Sequence, residues 1–96
     1  MYIVVSYWQA KAGKEMEFEK LGKEMGAVLK SQSGVVFLEM FKSGDKYVAV
    51  HAYESEARYK TLVEANDSVF ATEMAKTKFD EVGEWLSSER GEALKV

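Results

Sequence analysis

The sequence predicts an α+β domain in which two helices cover one face of a four-stranded antiparallel sheet. Along the 96 residues, the predicted elements follow the order β-α-β-β-α-β, which is the order of ferredoxin-like domains. The middle two strands are separated by Gly44–Asp45, a pair typical of a tight turn between antiparallel strands. No linker, repeat or low-complexity stretch divides the chain, so we expect residues 1–96 to form a single domain.

A strand and a long amphipathic helix open the chain. The stretch "YIVVSYW" (2–8) is rich in β-branched and aromatic residues, which predicts a strand. Residues 12–32 are predicted to be helical because apolar side chains recur there at spacings of three and four. That apolar stripe consists of Phe18, Leu21, Met25, Val28 and Leu29. Gly22 and Gly26 lie beside it, either to allow close backbone packing or as glycines tolerated on a solvated face.

A hairpin follows the first helix. "VVFLEMF" (35–41) predicts the second strand and "YVAVHAYE" (47–54) the third, with a type II′ turn that has glycine in its first position. A two-residue turn fixes the register of the two strands, because side chains on a strand alternate between the faces of the sheet. The predicted pairs are Leu38 with His51, Met40 with Ala49, and Val36 with Tyr53.

The second half of the chain predicts a further helical region and a last strand. Ser55 is a candidate N-cap, and "NDS" (66–68) interrupts the helix and recaps it. The helical spacing is carried by Tyr59, Leu62, Val63, Val69, Phe70, Met74, Phe79, Val82, Trp85 and Leu86. The final residues, "GEALKV" (91–96), are predicted to form the fourth strand.

Both faces of the predicted sheet are apolar. The first strand has Ile3, Val5 and Tyr7 on one side, and Val4, Ser6 and Trp8 on the other. Two helices can cover only one face, so the other face needs a second layer. A second copy of the chain is the simplest source of that layer, which predicts a homodimer.

Composition narrows the classes of function. There is no cysteine and only one histidine, which argues against disulfides and against a metal site. The net charge is −3 without a basic patch, so nucleic acid is not an expected partner. No apolar run approaches the ~20 residues of a membrane span, and no secretory signal is visible. We therefore expect a cytoplasmic protein that is not bound to membranes.

Several stretches resemble the antibiotic biosynthesis monooxygenase (ABM) family. They are "AGKEMEFEKL", "SQSGVVFLEM", "KYVAVHAYES" and "NDSVF", and the resemblance covers nearly the whole chain. It implies a dimeric α/β barrel with a pocket between sheet and helices in each subunit. The family includes cofactor-free monooxygenases that act on aromatic polyketides or quinols, and also haem-degrading enzymes.

The chain departs from both of these groups. Haem-degrading relatives use an asparagine in the first strand and a tryptophan and a histidine in the second helix; Ser6, Glu64 and Met74 stand at those positions. Quinol-type relatives commonly carry a helix histidine where this chain has Leu62. Two hypotheses remain. One is a monooxygenase without a cofactor that acts on a small aromatic or quinol-type compound. The other is a non-catalytic ligand-binding or regulatory dimer on the same fold.

His51 is the candidate catalytic residue. The resemblance suggests that its face of the third strand looks toward the helices and the pocket. Imidazole is the side chain that ordinarily titrates near neutrality, so His51 is suited to deprotonating a substrate. The alternative is a buried, neutral imidazole that is hydrogen-bonded and has no chemical role. The predicted substrate-binding residues are Ser6, Trp8, Leu38, Tyr53, Leu62, Phe70 and Met74, with no cofactor-binding or metal-binding residues.

Overall fold

The computed structural model describes residues 1–96 and confirms the α+β fold with a four-stranded antiparallel sheet. The strands are β1 (Tyr2–Ala10), β2 (Val35–Ser43), β3 (Lys46–Tyr53) and β4 (Gly83–Glu92), in the spatial order β2-β3-β1-β4. The helices are α1 (Glu15–Lys30), α2 (Glu56–Tyr59), which continues as a π-helical turn (Lys60–Glu64), and α3 (Val69–Thr77). No helix is long and apolar enough to cross a membrane.

The second helical region is divided as the sequence predicts. The Ser55 hydroxyl accepts a hydrogen bond from the backbone N–H of Arg58 at 3.1 Å and caps α2. The Ser68 hydroxyl accepts one from the backbone N–H of Ala71 at 3.0 Å and caps α3. Each cap satisfies an N–H group that the first turn of a helix leaves without a partner.

The predicted position of the fourth strand is wrong. Trp85 and Leu86 belong to β4, not to a helix, and β4 ends at Glu92. The helix stops after Thr77 because Lys78 adopts the left-handed conformation, with φ of 54°. A short 3₁₀ turn (Phe79–Glu81) then leads into Gly83, where a Cβ atom would collide with the Phe18 ring.

The hairpin register is confirmed at two of its three predicted pairs. Gly44 has φ of 64°, as the first position of a type II′ turn requires, and β3 pairs Leu38 with His51 and Met40 with Ala49. The pairing of Val36 with Tyr53 is wrong, because Val35 pairs with Tyr53. The register shifts between Val35 and Phe37, as at a β-bulge, and the intervening Val36 is 51% exposed.

The helices pack on one face of the sheet and enclose two clusters of buried side chains. The first cluster contains Tyr2, Val4, Leu29, Tyr53, Tyr59 and Leu62, and the second contains Phe18, Met25, Tyr47, Phe79 and Val82. At Gly22 and Gly26, a Cβ would lie 3.3 Å from the side chains of Met40 and Leu38, respectively. The two glycines therefore let α1 approach β2 closely.

The other face of the sheet carries apolar side chains that no helix covers. Val50 pairs with Val5 of β1, and Val48 pairs with Phe41 of β2. Phe41 is 54% exposed, and Val5 and Phe37 are half-buried. This open face, defined by Ile3, Val5, Tyr7, Phe37, Phe41 and Val50, matches the two-sided apolar pattern of the sequence.

Candidate functional site

A cavity of about 430 Å³ lies between the helices and the sheet. Its floor is formed by β1, β2 and β3, one side by β4, and its roof by α1, the π-helical turn and α3. Twelve of its nineteen lining residues are hydrophobic. Gly22 and Gly26 belong to the roof, so their missing side chains leave part of this space open. The volume and the apolar lining are typical of small-molecule sites.

Six of the eight predicted site residues meet in this cavity. They are Ser6, Trp8, Leu38, His51, Phe70 and Met74. Tyr53 and Leu62 do not line it but are buried behind its wall in the first core cluster. Tyr53 stacks edge-on against Tyr59 there, with ring centroids 5.2 Å apart.

Sequence reasoning missed the contribution of β4. Trp85, Ser88 and Arg90 line the cavity, and none of them was a candidate because the fourth strand was predicted too late in the chain. Ser88 pairs with Ser6 and Arg90 with Val4, so both share the cavity face of β1. Residues 87–90 ("SSER") are all polar, so no alternation of apolar and polar residues marked this strand in the sequence.

One end of the cavity is aromatic. The Trp8 ring lies 5.4 Å from the Phe79 ring and 6.4 Å from the Phe70 ring, both edge to face. Met25 and Met74 also line the cavity. Flat rings and polarisable thioether groups offer favourable contacts to an aromatic ligand.

A chain of side-chain hydrogen bonds crosses the floor of the cavity. The Tyr53 hydroxyl is 2.6 Å from Nδ1 of His51, and Nε2 of His51 is 3.3 Å from Oγ of Ser6. Ser6 Oγ is 3.2 Å from Ser88 Oγ, which accepts a hydrogen bond of 2.8 Å from Nε1 of Trp85. We call these five residues the polar chain. They join β3, β1 and β4 across the sheet.

His51 is uncharged at neutral pH. Burial lowers its pKa from 6.5 to about 4, since desolvation disfavours the imidazolium form. Burial likewise raises the pKa of Tyr53, which remains a neutral hydroxyl group. Both ring nitrogens of His51 already take part in hydrogen bonds. The imidazole therefore has neither a free nitrogen nor the basicity expected of a proton acceptor.

A charged pair lies at the side of the cavity near β4. Nη1 of Arg90 is 3.0 Å from Oε2 of Glu64, and the guanidinium group lies 5.4 Å from the centre of the Tyr59 ring. All three residues line the cavity. The Arg90 side chain is 41% exposed, so its positive charge faces both water and the cavity. No group of three or more His, Cys, Asp or Glu side chains is placed to hold a metal ion.

Comparison with known proteins gives a family and a fold. A family model described as "Antibiotic biosynthesis monooxygenase" matches residues 1–66. No curated protein matches the sequence significantly.

Solved structures match over nearly the whole chain. SnoaB, a cofactor-independent oxygenase from Streptomyces nogalater, has a TM-score of 0.76 at 14% identity and covers 99% of this chain and 94% of its own. A proposed antibiotic biosynthesis monooxygenase from Deinococcus radiodurans has a TM-score of 0.80 at 11% identity, covering 100% and 95%. Rv0793 from Mycobacterium tuberculosis has a TM-score of 0.78 at 12% identity, covering 99% and 96%. At these identities the likeness establishes a shared fold.

Proposed function

Since the chain belongs to the antibiotic biosynthesis monooxygenase family, we propose that it is a cofactor-independent monooxygenase of electron-rich hydroxylated aromatic compounds. The observation that carries this proposal is the cavity of about 430 Å³, which is largely apolar and has a few polar groups in its lining. Such a lining fits a flat aromatic molecule with oxygen substituents. SnoaB, which shares the fold, is described as a cofactor-independent oxygenase.

Without a cofactor, the substrate itself has to supply the electrons. An activated CH₂ group of a hydroxylated aromatic compound can do so. It loses two hydrogens and becomes C=O, one oxygen atom of O₂ enters the product, and the other leaves as water. The reaction starts from the substrate anion, because removal of a proton makes the ring electron-rich enough to react with O₂. The protein therefore has to favour the anionic form of the bound substrate.

Arg90 is the group best suited to that task. Its guanidinium group has N–H donors besides the one that meets Glu64, and a hydrogen bond from one of them to the oxygen of a bound phenolate or enolate would lower the pKa of that substrate. His51 is less suited to act as the base, because its lowered pKa makes it a poor acceptor of a phenol proton. We assign ionisation of the substrate to Arg90 and solvent, and we give His51 a positioning role.

The same proposal includes a homodimer formed through the open face of the sheet. Phe41 is 54% exposed on this face, and neighbouring apolar side chains are half-buried. Contiguous apolar surface of this kind is normally covered in a stable protein. A second sheet packed face to face would complete the two-layered barrel that the family resemblance implies.

One observation favours a different function, the binding of a ligand without chemistry. Both nitrogens of the single histidine are engaged in hydrogen bonds, so no base stands free at the cavity. A ligand-binding or regulatory dimer needs the cavity and the open face but no base. The two functions differ in whether oxygen is consumed in the presence of a ligand.

Oxygen uptake with 1,8-dihydroxyanthrone separates them. We expect the protein to accelerate uptake well above the spontaneous oxidation of this compound. Gly26→Leu should abolish the acceleration because its side chain would enter the cavity from α1. Ala27→Leu is the matched control, since Ala27 is the adjacent, exposed residue of the same helix and should leave uptake unchanged. Binding of the compound without faster uptake would contradict the monooxygenase and support the binding protein.

A further inference from the structure

The polar chain has one more hydrogen to donate than it has hydrogen bonds to make. Its members are Tyr53, His51, Ser6, Ser88 and Trp85, and four contacts of 2.6 to 3.3 Å join them. With His51 neutral, each of the five side chains carries a single N–H or O–H group. Five donor hydrogens are therefore available for four contacts, and one hydrogen has no acceptor within the polar chain.

The burial of Tyr53 shows at which end of the polar chain the hydrogen without an acceptor lies. Tyr53 is 0% exposed, and His51 is the sole side-chain partner of its hydroxyl group. If Nδ1 donated to the Tyr53 oxygen, the hydroxyl hydrogen of Tyr53 would be buried without an acceptor, which costs free energy. Tyr53 therefore donates to Nδ1, the imidazole proton is on Nε2, and Nε2 donates to Ser6.

At the other end, Trp85 can only donate, and it donates to Ser88. The two serine hydroxyl groups then share one contact, at 3.2 Å, but carry two hydrogens. One serine hydrogen remains without an acceptor. Both Ser6 and Ser88 line the cavity, so this hydrogen can reach a bound ligand.

We propose that the Ser6–Ser88 pair is the hydrogen-bond donor of the cavity and selects ligands with an acceptor oxygen, a carbonyl or a phenolate, on an aromatic skeleton. His51 and Tyr53 are positioning residues: because Nε2 donates to Ser6 Oγ, neither serine can donate to the imidazole, and one serine hydrogen is left for the ligand. The serine pair would act in substrate recognition if the protein is the proposed monooxygenase. Its role in ligand binding does not depend on that function. Binding itself requires no turnover.

The imidazole tautomer is the first test. Because the chain has a single histidine, two-dimensional ¹⁵N–¹H spectra of the labelled protein at pH 7 contain the ring nitrogens of one imidazole alone. We expect a protonated Nε2 and an unprotonated Nδ1. A proton on Nδ1, or on both nitrogens, would overturn the hydrogen count. This measurement uses the wild-type protein and does not depend on any variant folding.

The second test uses two ligands that differ in one acceptor. 9-Fluorenone and fluorene share a tricyclic skeleton, but fluorenone has a C=O group where fluorene has CH₂. Quenching of Trp8 and Trp85, the two tryptophans of the chain, reports binding because both line the cavity. We expect wild-type protein to bind fluorenone roughly two- to twelve-fold more strongly than fluorene, as one net hydrogen bond provides.

Variants assign the preference to the serine pair. Ser6→Val combined with Ser88→Val removes both hydroxyl groups and covers Nε2 of His51 with methyl groups, so the ratio of affinities should fall to about one. Ser87→Val is the control, because Ser87 pairs with Tyr7 on the opposite face and is exposed; its ratio should match that of the wild type. Equal binding of the two ligands by the wild type, or a preference that survives in the double variant, would overturn the proposal. A preference for fluorenone over fluorene, without accelerated oxygen uptake in the presence of 1,8-dihydroxyanthrone, would contradict the monooxygenase function but not this proposal.

Discussion

The buried imidazole of His51 makes stability depend on pH in a way that the structure specifies. The folded chain holds the pKa of His51 at about 4, against 6.5 for the exposed side chain. Between these two values the unfolded chain binds a proton at this residue and the folded chain does not. Unfolding is therefore favoured progressively as the pH falls from 6.5 toward 4, and above pH 6.5 the effect is absent. At about 1.4 kcal/mol for each pKa unit, the loss amounts to about 3 kcal/mol.

Urea denaturation of the wild type and of His51→Gln at a fixed protein concentration measures this loss. Glutamine stays uncharged throughout, so the difference between the two unfolding free energies removes the carboxylates common to both proteins. Between pH 7 and pH 4, we expect the unfolding free energy of the wild type to fall by about 3 kcal/mol more than that of His51→Gln. A difference that stays constant with pH would refute the buried, neutral imidazole and with it the hydrogen count of the polar chain.

Three further predictions test other parts of the structure. Phe37→Asp should convert the proposed homodimer into a monomer in sedimentation velocity, since the charge would be buried without a partner in the second sheet; a wild type that is already monomeric at micromolar concentration would contradict the dimer. Gly83→Ala should lower the unfolding free energy by about 1–3 kcal/mol through its collision with Phe18, whereas Gly91→Ala, which has open space around it, should stay close to the wild type in the same thermal melts. Haem added with ascorbate should keep its Soret absorbance, because Glu64 stands where haem-degrading relatives have a tryptophan; rapid bleaching of a stoichiometric complex would show this to be wrong.

The fold could be predicted because its signals are local. The spacing of apolar residues in α1, the serine caps and the two-residue turn at Gly44 each depend on a few neighbouring residues. The turn length also predicted that His51 shares a face of the sheet with Leu38, whereas the direction of that face, toward the helices, came from the family resemblance. The open face was likewise predicted from a local pattern, because apolar residues occur on both sides of the predicted strands.

The predictions that were wrong concern features that depend on contacts between elements distant in the sequence. Gly83 starts β4 because Phe18 of α1 occupies the space beside it, which no local pattern shows. Trp85 and Leu86 happen to continue the helical spacing, so periodicity placed them on the wrong element, and the β4 side of the cavity was lost with them. The turn predicted the register correctly from Ser43 back to Phe37. The bulge at Val36 then shifts the register by one residue, which the turn could not predict.

In the proposed reaction, the cavity holds a hydroxylated aromatic compound while O₂ oxidises it without a cofactor. Mass spectrometry of the product formed from 1,8-dihydroxyanthrone under ¹⁸O₂, with metal-free wild-type protein and no added reductant, tests this directly. We expect one ¹⁸O atom in the new carbonyl group, formed faster than in the absence of protein, and no acceleration with Gly26→Leu. A rate equal to that of the spontaneous reaction, or the same acceleration in the Gly26→Leu variant, would contradict the account.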